Sequence, residues 1–192
     1  MSAIISWHPT LAFFHDPFER GAFQVDLDRF ARLLHGKLEP SPKLVLNPSA
    51  RQVKSLHNWA LRMYQPIACD IETAAEKGDH EGHTGKNPLR ARLKGIGLGN
   101  ERLGLSHWWQ GKNTASAKAI LALLADKRVV KVFQNGDWFD LRLLRRLGIA
   151  VENIVDTRDA RRAVSATSKL NLGYMTTLYS DFAAWKSDED TK

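Results

Sequence analysis

"VVKVFQNGDWFDLRLLRRLG", residues 129–148, changes character twice within twenty positions. The run "VVKVF" is short, apolar and β-branched, the signature of a buried strand. Gln134, Asn135 and Gly136 interrupt it with turn chemistry. From about Asp137 to Leu147 the pattern becomes that of an amphipathic helix, which Gly148 ends. Two acids, Asp137 and Asp140, therefore stand beside Trp138 and Phe139 where a buried strand passes into a helix. A surface helix tolerates acids at any exposed position, so their meaning must come from elsewhere in the chain.

A second apolar run, "QPIACDIET" at 65–73, also ends in two acids, Asp70 and Glu72. It reads as another buried strand. Around these two stretches the remaining patterns fall into place. "VDLDRFARLLHG" at 25–36 carries Leu27, Phe30, Leu33 and Leu34 at helical spacing. "KLEPSPKLVLNP" at 37–48 is proline-rich and reads as a connector. Ser49 can cap a helix to about Tyr64, with Val53, Leu56, Ala60 and Met63 on one face. "RLKGIGLG" and "RLGLSHWW" read as two strands around a tight turn at Gly99-Asn100. Thr114 caps a helix to residue 126, "NIVDT" is a short strand, and "DARRAV" starts another helix. Leu170, Leu172, Met175 and Leu178 are spaced for a last one. Hairpin-linked strands followed by alternating helix and strand specify an α/β fold, a mixed central sheet flanked by helices.

Composition sets the outer limits. The 192 residues can bury a sizeable core, and 43% hydrophobic with 26% charged residues is ordinary for a globular chain. Cys69 is the single cysteine, which excludes an internal disulfide framework and fits a reducing, cytoplasmic setting. No apolar run approaches the roughly twenty residues that span a bilayer, so no membrane partner is expected. A net charge of +7 favours a polyanionic partner, although a basic surface also serves solubility alone. Lys86, Arg90, Arg92 and Lys94 form one basic cluster; Arg142, Arg145, Arg146, Arg158, Arg161 and Arg162 form another. Both flank the acidic positions in sequence, the arrangement needed to hold a phosphate backbone over carboxylates.

Asp70 and Glu72 lie two apart on a strand and so face the same side. Asp140 lies on the first turn of the helix after the other central strand. If the two strands are neighbours, three carboxylates meet, and they repel unless cations sit among them. Oxygen ligands of this hardness select Mg²⁺ or Mn²⁺. Two such ions roughly 3.5–4 Å apart can activate a water and neutralise a leaving oxygen. The bland alternative is that Asp70 ends a strand and that Asp137 and Asp140 merely suit a helix N-terminus.

"DIET" at 70–73 resembles the first motif, Asp-x-Glu, of the DEDD 3'-5' exonucleases, and "NGDWFD" at 135–140 resembles their second. The likeness spans about residues 50 to 186, with "VDT" at 155–157 and "LNLGYMTTLYSDFAAWK" at 170–186. It is nearest to the proofreading domains of family A DNA polymerases, phage ones in particular, and to ribonuclease D. The resemblance implies a ribonuclease H-like three-layer fold and hydrolysis of phosphodiester bonds at DNA 3' ends with two divalent cations, Mg²⁺ or Mn²⁺. Asp70 and Glu72 would bind the metal pair, Asp70 bridging and Glu72 steering the water, while Asp140 would hold the second metal. Thr73 would sit by the terminal nucleotide, Asn135 would hydrogen-bond the substrate strand, and Phe139 would shape the site. Asp137 would face solvent, and Asp156 would order a strand–helix turn. Residues 49–192 would form the exonuclease domain, with 1–48 an N-terminal segment and linker left from an upstream domain. Single-stranded DNA or a frayed 3' end would be the substrate, a DNA polymerase chain the partner, and a bacterial or phage-infected cytoplasm the setting. A second reading is a nucleic-acid-binding module that keeps the fold without efficient catalysis, or a fragment of a phage polymerase.

The family's third motif, an Asp four residues after a Tyr or a His-based variant, is not found. Leu178 follows Tyr174 at that distance and Ala183 follows Tyr179. The expectation is therefore a domain truncated at its C-terminus and weak by itself, with Asp181, Asp188 or Asp190 as substitutes only if the tail folds back. "ISWHPTLAFF" at 5–14 resembles a His-Pro-Ser/Thr motif of family 4 uracil-DNA glycosylases but lacks the water-activating partner motif. His80 and His83 read as members of a polar loop rather than as metal ligands. His107-Trp108-Trp109 reads as core packing ahead of base stacking, and Cys69 as an inert core thiol.

Overall fold

The chain is seen in a computed structural model, which describes residues 42–75 and 83–164 and positions 24, 25, 27, 28, 30–32, 34–36, 170, 172, 175 and 179. Its elements are β1 (Lys43–Leu46), α1 (Ala50–Met63), β2 (Ile67–Ala74), a 3₁₀ turn (His83–Lys86), β3 (Arg92–Gly99), β4 (Leu103–Trp108), α2 (Ala115–Ala125), β5 (Lys131–Phe133), α3 (Asp140–Arg146), β6 (Ile154–Asp156) and α4 (Thr157–Val164). The strands form one mixed sheet in the order β1-β4-β3-β2-β5-β6. The β2–β3 and β3–β4 pairs are antiparallel, and the β1–β4, β2–β5 and β5–β6 pairs are parallel. This is the α/β arrangement that the alternation of patterns specifies.

Local chemistry explains where the helices begin. The Ser49 hydroxyl accepts the Gln52 N–H at 3.3 Å, and the Gln52 side-chain oxygen accepts the Ser49 N–H at 2.8 Å. This reciprocal box starts α1. The helix ends at Tyr64, which adopts a left-handed φ of 52°. Thr114 caps α2 by accepting the Ala117 N–H at 3.1 Å. Between β3 and β4 the Asn100 Oδ1 accepts the N–H groups of Arg102 and Leu103 at 2.9 and 2.8 Å, which closes the expected tight turn.

One core joins these pieces. Val53, Leu56 and Ala60 of α1 pack with Ile120, Leu123 and Leu124 of α2 against Ile67, Cys69 and Ile71 of β2. Phe133, Leu141, Leu143 and Leu144 belong to the same cluster. Lys131 is wholly buried in it, and its ammonium donates to the carbonyls of Asp126 at 2.7 Å and Val129 at 2.8 Å. A buried cation is tolerable only when its protons are satisfied in this way.

Four elements depart from the sequence reading. Residues 43–46, expected as part of a connector, form edge strand β1 in parallel register with β4. So short a strand between prolines has no period of its own, and only its partner reveals it. Met63 is exposed rather than on the buried face of α1, because the last turn runs past the core. β5 is confined to Lys131–Phe133. α3 starts at Asp140, three residues later than expected, since 136–139 form a turn. The expected last helix is described at Leu172, Met175 and Tyr179, which are helical; Leu178 lies outside the described residues.

The chain divides into two compact units, Pro42–Ala160 and a second made of Met1–Ser41 with Arg161–Lys192. Within the second, the Arg161 guanidinium lies 5.6 Å from the Tyr179 ring centre. Among the described residues, no helix is long and apolar enough to cross a membrane.

Candidate active site

β2 alternates cleanly. Ile67, Cys69 and Ile71 are buried, whereas Ala68, Asp70 and Glu72 are exposed on the opposite face. The pleat thus separates the core from the two carboxylates and sets them side by side, as the spacing implies. On the neighbouring strand Asp70 pairs with Gly97 and Glu72 with Gly95. The β3 residues directly opposite the two acids therefore carry no side chain. The ladder shifts register between Glu72 and Thr73. Beyond that bulge the Thr73 hydroxyl donates to the Gly85 carbonyl at 2.9 Å, so it serves the adjoining 3₁₀ turn.

Asp140 reaches the same strand from the other side. β5 runs parallel to β2 with Ile67 opposite Lys131 and Ala68 opposite Val132. The chain then turns and enters α3 at Asp140, which is only 9% exposed. The Asp140 carboxyl is pushed up to about 7. Burial is the main cause, the negative charge of Asp70 adds to it, and Asp156 contributes further. Backbone N–H groups of Asp140 itself and of Ile71 act in the opposite direction by hydrogen-bonding the carboxylate. The Ile71 contact brings this carboxylate to β2, beside Asp70. Asp140 and Asp70 therefore approach one another across the two strand ends.

The loop that delivers Asp140 is braced from β6. Asp156 accepts the N–H groups of Asn135 at 3.0 Å, Gly136 at 2.7 Å and Arg158 at 2.8 Å. The Thr157 hydroxyl donates to the Phe133 carbonyl at 3.2 Å, and Arg158 donates to the Asn135 side-chain oxygen. Asn135 holds a left-handed φ of 58°, a conformation that asparagine accepts more readily than most residues. Asp156 is thus spent on backbone donors, the ordering role read from its position. Asn135 has its side-chain oxygen committed to Arg158. Phe139 is the residue before α3 and packs against the core. Asp137 is exposed, and its carbonyl accepts the Arg142 Nε–H at 3.1 Å.

Other candidates separate just as plainly. Among the described residues, no three His, Cys, Asp or Glu side chains close into a ready-made metal cluster. Asp70 and Asp140 are electrostatically coupled, and Glu72 stands one alternate position along β2. Cys69 is buried, and its thiol is pushed up to about 12, chiefly by burial, which makes it inert as expected. The His-Trp-Trp run is divided by the pleat of β4: His107 is buried, Trp109 packs against the core, and Trp108 is 53% exposed. The reading of all three as core is corrected for Trp108. His80, the side chain of His83, Asp181, Asp188 and Asp190 lie outside the described residues.

Residues 51–192 match the family model described as 3'-5' exonuclease. The chain belongs to that family. The match to this exonuclease family takes in every strand from β2 to β6 and all three carboxylates. Among solved structures, the domain resembles Trypanosoma brucei RNase D in complex with RNA U12, at a TM-score of 0.55 and 16% identity, covering 74% of this chain and 48% of that one. It also resembles Escherichia coli RNase D, at 0.55 and 17%, covering 78% of this chain and 36% of that one. Brucella melitensis NrnC with bound Mg²⁺ gives 0.53 and 21%, covering 78% and 66%. The exonuclease domain thus has the fold of these nucleases and spans about half or less of the RNase D chains. No curated protein matches it.

Proposed function

We propose that the chain is a divalent-metal-dependent 3'-5' exonuclease that hydrolyses phosphodiester bonds at the end of a nucleic-acid strand. The observation that carries this reading is the approach of the Asp140 carboxyl to Asp70, with Glu72 on the same exposed face. Carboxylates that approach one another on one face suit a hard divalent ion. Asp70, Glu72 and Asp140 would hold two such ions. When bound, Mg²⁺ or Mn²⁺ would supply a bound water more acidic than bulk water and positive charge at the scissile phosphate.

The rest of the work falls to the chain's own residues. β2 fixes the two ligands Asp70 and Glu72 on a rigid strand, which keeps their spacing constant. Asp156 and Arg158 hold the loop that aims Asp140 at the strand. Gly95 and Gly97 leave space beside the acids for a nucleotide. Thr73, through its backbone, and Phe139 would border the terminal nucleotide, while Asn135 would contact the strand through its side-chain amide. The exposed Lys86, Lys94 and Arg145 supply positive charge for a phosphate backbone.

For the substrate, the sequence favours a DNA 3' end of the proofreading type, a reading that rests on "DIET" and "NGDWFD". The structural relatives named RNase D favour RNA. A 5'-labelled oligonucleotide of each kind, incubated with Mg²⁺ or Mn²⁺, separates the two by which one yields a ladder of shortened products. Asp70→Ala should abolish the ladder; an undiminished ladder from that variant would sink the assignment.

A strand-binding module with little hydrolysis is the second reading. The observation favouring it is that no three ligands close into a cluster among the described residues. Retardation of a labelled strand without shortening, at any Mn²⁺ concentration, would establish it.

A further inference from the structure

Three registered residues run across the sheet from the carboxylates: Glu72 on β2 pairs with Gly95 on β3, which pairs with Trp108 on β4. Directly paired residues of antiparallel strands project to the same face. Trp108 therefore stands on the carboxylate face, two strands from Glu72, roughly 10 Å at the usual strand spacing. The residue paired between them is a glycine, so β3 places no side chain at that position.

Trp108 is 53% exposed although its neighbours in sequence reach the core. Its backbone is fixed, because its N–H donates to Asn47 Oδ1 at 2.9 Å. The Lys94 ammonium lies 5.3 Å from the centre of its ring. A large aromatic face held rigidly beside a cation, a short span from the acids, has the two features that single-stranded nucleic acid uses: a surface for base stacking and a charge for the backbone.

We propose that Trp108, assisted by Lys94, is a base-stacking platform for a nucleotide just upstream of the strand end. The inference rests on the exonuclease reading for its occupant. Stacking would tolerate any base, because every base has a π face. The platform would set the length of single strand that the site holds rather than its sequence.

The test uses the full chain in EDTA, where no cleavage occurs, and a short fluorescently labelled single strand read by anisotropy. Trp108→Ala should weaken binding roughly tenfold, the usual weight of one base–aromatic stack. Trp108→Phe should restore most of the affinity while losing the part of the tryptophan quenching that Trp108 supplies, an outcome that a purely structural role would not give. Tyr64→Ala, which removes an exposed aromatic before the start of β2, should change nothing. Lys94→Ala should lower the salt dependence of binding. Unchanged affinity in Trp108→Ala would overturn the platform even if metal-dependent shortening of the strand is normal. Quenched binding that Trp108→Ala weakens, in a chain that never shortens a strand, would uphold the platform and overturn the hydrolytic reading instead.

Discussion

The Asp156 carboxylate accepts the Gly136 N–H at 2.7 Å, which ties the end of β6 to the turn that launches Asp140. The same carboxylate takes the N–H groups of Asn135 and Arg158, so one side chain satisfies three backbone donors. The geometry of the acidic site is thereby set partly from a strand that carries none of its ligands.

Asp156→Ala should lower the free energy of unfolding by about 2–3 kcal/mol, since charged acceptors are costly to remove from part-buried donors. Urea denaturation measures the loss. Hydrogen exchange gives the local signature, faster exchange at the Asn135 and Gly136 amides with little change in β3. Uniform acceleration throughout the sheet would show that Asp156 stabilises the fold without bracing this loop in particular.

Asp140 should display a trade of stability against function. Its carboxyl, pushed up to about 7, stays protonated in the folded chain where the unfolded chain, near 3.9, has already ionised. Between those values the folded state binds more protons, so stability falls as pH rises and then levels above about 7. Asp140→Asn should remove that slope and, without metal at pH 8, stabilise the chain by on the order of 2–4 kcal/mol. Added Mn²⁺ should raise the melting temperature of the parent and not of the variant. Equal Mn²⁺ responses would remove Asp140 from the ligand set.

His107 works in the opposite pH direction. It is 7% exposed, and neither ring nitrogen has a hydrogen-bond partner. Burial lowers its pKa below the ordinary value of 6.5. The unfolded chain therefore takes up the proton first, and stability is lost as pH falls below about 6.5. His107→Leu should be more stable by about 1 kcal/mol at neutral pH, because no unsatisfied polar atom remains buried. Its advantage should grow at pH 5. Parallel stability–pH curves for the two proteins would show that His107 is not the titrating group.

Gly136 leaves no room for a side chain. A Cβ there would lie 2.6 Å from the Phe133 Cβ and 3.0 Å from its Cγ, atoms too near the backbone to swing away. Gly136→Ala should cost about 1–3 kcal/mol as an overpacked core position. It should also shift the turn before Asp140 and weaken Mn²⁺ binding by isothermal titration. Retained Mn²⁺ affinity in a destabilised variant would mean that the turn absorbs the strain without moving the acid.

Legibility varied with the range of the interaction responsible. The alternation in "IACDIET" already separates the buried from the exposed side chains of β2, since the pleat alone decides it. Ser49, Thr114 and Asn100 announce their caps and turn because those bonds close within a few residues. Asp70, Glu72, Asp137 and Asp140 stand out by their place after apolar runs, whereas the preference for Asp140 over Asp137 came from the family resemblance. β1 could not be read, because four residues become a strand only through pairing with β4. The late start of α3 was equally hidden, because hydrogen bonds from Asp156 hold the turn before it from twenty residues away.

Local sequence therefore specified the capped helices and the strands with a period of their own, which depend on patterns within a single segment. Long-range pairing sets β5 beside β2, which brings Asp140 to Asp70 and raises its pKa through burial and repulsion. Tertiary pairing also decided that Trp108 shares the carboxylate face. A strand's sequence fixes which residues alternate, but not which neighbour it pairs with or what register the pair adopts. That choice belongs to the sheet as a whole.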